Sequence, residues 1–132
     1  MMRGALALGL ALCACAGECV GVSAACMPLY APDYDEIFAR TLTRSCAQPG
    51  PACHAPEGAR GGLVFAEAES SYQRLLGQTG RPALVQPGQA GCSPLVQRLE
   101  STDPRRQMPP GAPLPVAERC AIVQWIERGA PR

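Results

Sequence analysis

Apolar residues along this chain gather in four stretches at helical spacing, separated by longer runs rich in Pro and Gly. The first covers residues 33–44. Tyr34, Ile37, Phe38 and Leu42 share one face there, and Asp33 and Glu36 have capping-box spacing, with Asp in place of Ser or Thr. The second covers residues 67–76, where Tyr72, Leu75 and Leu76 are apolar and Gly77 is a natural stop. Ser93 and Pro94 open the third, Ser suiting the N-cap and Pro the first turn, above an inner stripe of Leu95, Val96 and Leu99. The fourth covers about residues 115–128, with Val116, Ile122, Val123, Trp125 and Ile126 apolar and Gly129 at its end. No strong alternation marks a strand, and residues 62–65 are apolar over too short a run to found a sheet. The pattern predicts a mainly α fold of about four helices with long Pro- and Gly-rich loops.

The N-terminal segment is patterned differently. Arg3 gives a short positive start, and residues 5–12 form an apolar run too short to cross a bilayer permanently. Residues 1–14 read as a signal peptide. Leu-Cys-Ala-Cys at residues 12–15 resembles a bacterial lipobox, which places a lipidated cysteine at Cys15; ordinary secretion with cleavage near Ala25 is the alternative. Residues 15–32 then read as a lipid-anchored tether with turns, and residues 33–132 as one domain. The expected location is the cell envelope, periplasmic or outer-surface, with the lipid as membrane contact.

Composition narrows the possibilities. The 132 residues suit one domain, and with aromatics at only 5% its core needs help from a cofactor, a metal or disulfides. All 12 basic residues are Arg, against 11 acidic ones, with no basic tract. Nucleic-acid binding through phosphate neutralisation is therefore not expected. Export permits disulfides or covalent haem at the cysteines after Cys15, namely Cys19, Cys26, Cys46, Cys53, Cys92 and Cys120.

His54 is the chain's single histidine and directly follows Cys53. Covalent haem needs thiols to add to its vinyl groups and a neighbouring histidine to reach the iron, which a Cys-x-x-Cys-His run supplies in one turn. Here six residues separate Cys46 from Cys53, where the usual motif has two. Cys46 reaches a second vinyl if residues 47–52 bulge outward, and Pro49-Gly50-Pro51 supports such a turn. Attachment through Cys53 alone, and a Cys46–Cys53 disulfide closing an exposed loop, are the alternatives.

The stretch Cys-His-Ala-Pro-Glu-Gly-Ala-Arg-Gly-Gly-Leu at residues 53–63 resembles the haem-attachment loop of planctomycete-type cytochrome c domains. Val-Gln-Pro-Gly at 85–88 and Ser-Pro-Leu-Val-Gln-Arg-Leu at 93–99 resemble their middle helix and its lead-in. Arg-Gln-Met-Pro-Pro-Gly at 106–111, then Ala-Ile-Val-Gln-Trp-Ile-Glu-Arg-Gly-Ala at 121–130, resemble their Met loop and last helix. The resemblance covers roughly residues 33–130. It implies a cytochrome c-like fold and a haem c group held by Cys46, Cys53, His54 and Met108, with His54 and Met108 on the iron. A thioether suits low-spin haem, and Met108 sits in a Pro-stiffened loop, whereas Met27 lies in the tether.

With both axial positions filled, the expected role is electron transfer between redox proteins, not catalysis, with no small-molecule substrate. A peroxidase would need a second histidine and a thioredoxin-like enzyme a close Cys-x-x-Cys; neither is present. A haem-free, disulfide-stapled cytochrome-like scaffold with a binding or assembly role is the alternative. With Cys46 and Cys53 reserved for haem, the preferred pairs are Cys19–Cys26 and Cys92–Cys120. In such a fold the first and last helices cross, with Phe38 and Trp125 as the expected contact.

Overall fold

The computed structural model describes residues 18–132. The signal-peptide and lipidation readings, which fall on residues 1–14 and Cys15, lie outside the described residues. Four helical segments carry the fold, and the described residues contain no strand. Helix α1 (Tyr34–Ile37) runs on without a break as a π-helix (Phe38–Cys46). Helices α2 (Ala68–Leu75), α3 (Pro94–Leu99) and α4 (Val116–Glu127) follow, with single 3-10 turns at Arg60–Gly62 and Ala90–Cys92. The mainly α architecture with long loops is the one expected from the sequence.

Asp33 caps α1 by accepting the Glu36 backbone N–H at 2.9 Å. Glu36 does not reach back; its carboxylate pairs with Arg40 one turn on. The core gathers on α4, where Ala121, Ile122, Trp125 and Ile126 are almost fully buried. Trp125 packs on Tyr34 with ring centroids 5.5 Å apart, and Tyr72 meets Tyr34 edge-on at 5.1 Å. The first and last helices therefore meet through Tyr34. Phe38, the expected partner of Trp125, lies one turn further on, behind Tyr34 at 6.1 Å. The polar tips of this aromatic cluster are all satisfied: Tyr34 Oη donates to the Ala68 carbonyl, Tyr72 Oη to Ala130 and Trp125 Nε1 to Pro131.

Ser93 precedes α3 as expected, but its side chain does not cap the helix. Fully buried, Ser93 Oγ accepts the Gln86 N–H at 2.9 Å and donates to the Gln89 carbonyl at 3.0 Å. It thus ties together the loop before α3, which docks on the end of α4 through Gly88 N–H to the Ile126 carbonyl.

Residues 18–32 have no regular secondary structure, yet they are fastened along the domain. The disulfides are Cys19–Cys92 and Cys26–Cys120, which corrects the expected Cys19–Cys26 and Cys92–Cys120 pairs. The reason is the strap's extended course. Val20 N–H donates to the Gly91 carbonyl, Gln124 Nε2 donates to the carbonyls of Ala24 and Cys26, and Leu29 N–H donates to Ala117. The two strap cysteines therefore meet different parts of the domain. Gly91 is needed for this approach, because a Cβ there would collide with the Val20 carbonyl. Further along the strap, Tyr30 Oη bonds the wholly buried Thr41 hydroxyl, and Thr41 donates to Glu118 of α4 at 2.8 Å. That chain joins strap, π-helix and α4.

Candidate functional site

The π-helix delivers the first candidate residue. Its wide turns close bonds such as Ala47 N–H to the Leu42 carbonyl, five residues back, and its last residue is Cys46. Residues 47–52 then loop out, and the chain returns so that His54 N–H donates to the Cys46 carbonyl at 2.9 Å. The six-residue spacer is thus closed at its base by one backbone bond, which brings Cys46 beside the Cys53–His54 pair. The loop is packed from behind by Gly58, where a Cβ would fall 2.6 Å from the Cys53 carbonyl and closer still to that of Gly50.

Cys46, Cys53, His54 and Met108 all line one cavity of about 400 Å³. All four side chains are half-buried there, and both thiols are free, so the Cys46–Cys53 disulfide alternative is not the one realised. Burial, with the Glu118 charge adding to it, pushes the Cys46 thiol up to about 12, so it stays protonated at neutral pH. Apolar side chains, among them Leu63, Phe65, Leu84, Leu95 and Leu99, make the walls.

His54 is oriented by two neighbours. Its ring stands edge-on to Phe65 at 5.5 Å, and Nδ1 lies 3.2 Å from the Leu63 carbonyl. A carbonyl only accepts, so Nδ1 carries the proton and Nε2 keeps its lone pair. Burial holds the imidazole pKa below its usual value, which favours this neutral form. Phe65 N–H donates in turn to the His54 carbonyl at 2.8 Å, locking the two segments together. Met108 enters from the loop after α3, anchored by its own N–H on the Arg98 carbonyl at 3.0 Å.

The cavity also has a charge character that sequence reading missed. Arg60, Arg74, Arg98 and Arg105 line it, and among the described residues no carboxylate does. Arg98 lies within the quoted run at 93–99, but no motif singled out Arg74. Among the described residues, no group of three or more His, Cys, Asp or Glu is placed to hold a bare metal ion.

Two free thiols, an imidazole with an available Nε2, a thioether and an apolar cavity on a mainly helical scaffold are the features of a c-type cytochrome domain. Residues 51–111 match the sequence model of the family described as Planctomycete cytochrome C, which supports a planctomycete-type cytochrome c domain over that stretch. The match includes Cys53, His54 and Met108 but begins beyond Cys46. No curated protein and no solved structure matches the chain.

Proposed function

We propose that the protein is a haem-bearing electron carrier fixed to an envelope membrane. The observation that carries this reading is the convergence of the two free cysteines, the single histidine and Met108 on one apolar cavity. The donor set fits haem c: thiols for thioether links, a neutral imidazole and a soft thioether for the iron. When bound, the group supplies a one-electron Fe(III)/Fe(II) couple. The chain's own part is to hold and tune it. Leu63 and Phe65 orient His54, Cys46 and Cys53 provide the attachment points, and the apolar walls keep water from the site. His54 and Met108 would both hold the iron, which would leave no open site for a substrate and favours electron transfer between redox proteins over catalysis. The buried, protonated Cys46 thiol is also unsuited to a thiol oxidoreductase, which needs a ready thiolate.

The anchor follows from the N-terminal reading. Lipid on Cys15 would stand only four residues before Cys19, which is bonded to Cys92. At no more than about 3.5 Å per residue, four residues would keep the lipid within roughly 14 Å of Cys19. The domain is then held at the membrane surface, and its redox partners must meet it there.

The test is a visible spectrum and intact mass of protein made with export and haem-attachment machinery. A sharp reduced α-band and the added mass of one haem are expected. His54→Ala should abolish the low-spin spectrum, Met108→Ala should convert it to a weaker-field form, and Cys46→Ala should reveal whether that thioether is made. A colourless wild-type protein carrying only disulfides would remove the electron-carrier reading and leave the haem-free scaffold.

A further inference from the structure

The exposed large apolar side chains of the described residues all fall in one place. They are Met27, Leu29 and Val116, at 84%, 62% and 67% exposure. Burial alternates along the second half of the strap: Cys26, Pro28, Tyr30 and Pro32 turn inward, and Ala25, Met27, Leu29 and Ala31 turn out. An extended segment with one face on a core ordinarily shows polar side chains on the other. Here the outward set holds no polar side chain, and residues 19–32 contain no charged residue.

The strap's bonds bring these side chains together. Cys26 is joined to Cys120, and Leu29 N–H donates to the Ala117 carbonyl, so the strap runs antiparallel to α4. Met27 lies between those two fixed points, and Leu29 sits beside the start of the helix, where Val116 is exposed. Residues 107–117, which lead into α4, carry no charge either. Charged groups around the strap are engaged. Arg40, whose guanidinium lies 5.7 Å from the Tyr30 ring centroid, pairs with Glu36, Arg119 pairs with Glu100, and Glu118 accepts from Thr41. Taking this face out of water therefore strands few polar groups.

We propose that this face rests on the membrane, with Met27, Leu29 and Val116 reaching into the lipid interface. The proposal rests on the lipid anchor at Cys15 and adds the orientation that the domain takes there. Two observations select a bilayer over a protein partner. Three side chains fall well short of the roughly 800 Å² that each partner buries in a specific protein interface. The face is also borne by the segment that leaves the anchor, Cys15 standing four residues before Cys19. A tether makes the second contact intramolecular, so a small apolar area that would bind lipid weakly alone is held against it. Anchor and strap then act as two contacts, which stop the domain turning freely and leave its other faces to redox partners.

The test uses the mature, lipidated protein in vesicles of phosphatidylethanolamine and phosphatidylglycerol, doped with a phospholipid that carries a diazirine in its acyl chain. Illumination expels N2 and leaves a carbene that inserts into C–H bonds within reach. Adducts should concentrate on residues 25–31 and 115–117. Leu29→Glu, and separately Met27→Ser with Leu29→Ser, should cut those adducts about tenfold, because each removes apolar area from the contact. Both positions are exposed, so the fold should survive, which mapping of the two disulfides checks. Thr79→Glu, in the exposed loop after α2, should leave the pattern unchanged. Intact mass shows whether Cys15 carries lipid. With lipid present, adducts that spread evenly, lie on another face or survive Leu29→Glu would overturn the orientation and leave the anchor standing. A strap free of adducts on vesicle-bound protein would mean that the face is open to water and to protein partners, which equally overturns it. With no lipid on Cys15, anchor and proposal fall together.

Discussion

Two sides of this molecule use cysteine in opposite ways. On the strap side, Cys19, Cys26, Cys92 and Cys120 are consumed in disulfides that span 73 and 94 residues of sequence. On the cavity side, Cys46 and Cys53 are only seven residues apart, yet both remain free. Easy loop closure would favour the opposite arrangement, since short loops lose the least entropy on closing. What decides is where the fold puts the thiols. The strap lies extended over the loop before α3 and over α4, so its cysteines meet distant partners. The π-helix and the looped-out residues 47–52 instead give Cys46 and Cys53 to a cavity wall. One side holds the domain together, and the other is left with chemistry to perform.

The sharpest way to break that comparison is to cut the strap. Replacing Cys26 and Cys120 together by Ser removes a bridge over 94 residues. The loss should be about 2–5 kcal/mol, which is on the order of 10–20 °C in melting temperature for a domain of this size. Circular-dichroism melts check the magnitude. If the two sides are separate, the fraction of folded protein carrying haem stays near the wild-type value. If haem loading collapses while the fold survives, strap and cavity are coupled and the division fails. Non-reducing peptide mapping of the wild type should find 19–92 and 26–120 links and no 19–26 link.

Gly58→Ala attacks the other side. Its new Cβ would stand 2.6 Å from the Cys53 carbonyl and collide with the Gly50 carbonyl, both backbone atoms that cannot turn away. The attachment loop must shift, at a cost of about 1–3 kcal/mol. The expected outcome is a several-fold drop in covalently attached haem per chain, measured by intact mass, with both disulfides still formed. An unchanged haem yield would mean that the backbone closure between Cys46 and His54 does not matter for attachment.

The sequence made one side far more legible than the other. All four helices were visible in apolar periodicity, because each turns apolar residues into the core. Cys53, His54 and Met108 were visible because each sits in a motif that chemistry constrains closely. Cys46 was suggested, but how it could approach Cys53 depended on a π-helix, which has no periodic signature at this length. The strap pairing was misread because neighbouring cysteines invite a local loop, and only the tertiary course of residues 18–32 separates them. Thr41 and Arg74 were missed for a related reason. A polar residue in a helix reads as surface unless its partner is known, and Glu118 and the cavity are both contributed by other parts of the chain.

The smallest expected effect lies at neither side but on the aromatic cluster. Arg132 pairs with Glu69 at 2.9 Å and Asp35 at 2.7 Å, and its guanidinium also lies 5.1 Å from the Tyr34 ring centroid and 5.8 Å from that of Tyr72. Its hydrogen bond to Glu69, with one from Gln73 adding to it, holds the Glu69 carboxyl below its ordinary value. A carboxyl depressed in the folded state stabilises the fold above its unfolded pKa, and that contribution is lost as pH falls through the folded value. The cation–aromatic contacts do not titrate there, because Arg stays charged. Arg132→Gln should therefore lower the melting temperature slightly at pH 7, since exposed ion pairs contribute little. The gap from wild type should narrow as the solution is taken well below the ordinary carboxylate range, without closing. Complete closure would assign the whole effect to the carboxylates, and a gap that does not change with pH would assign it to the rings.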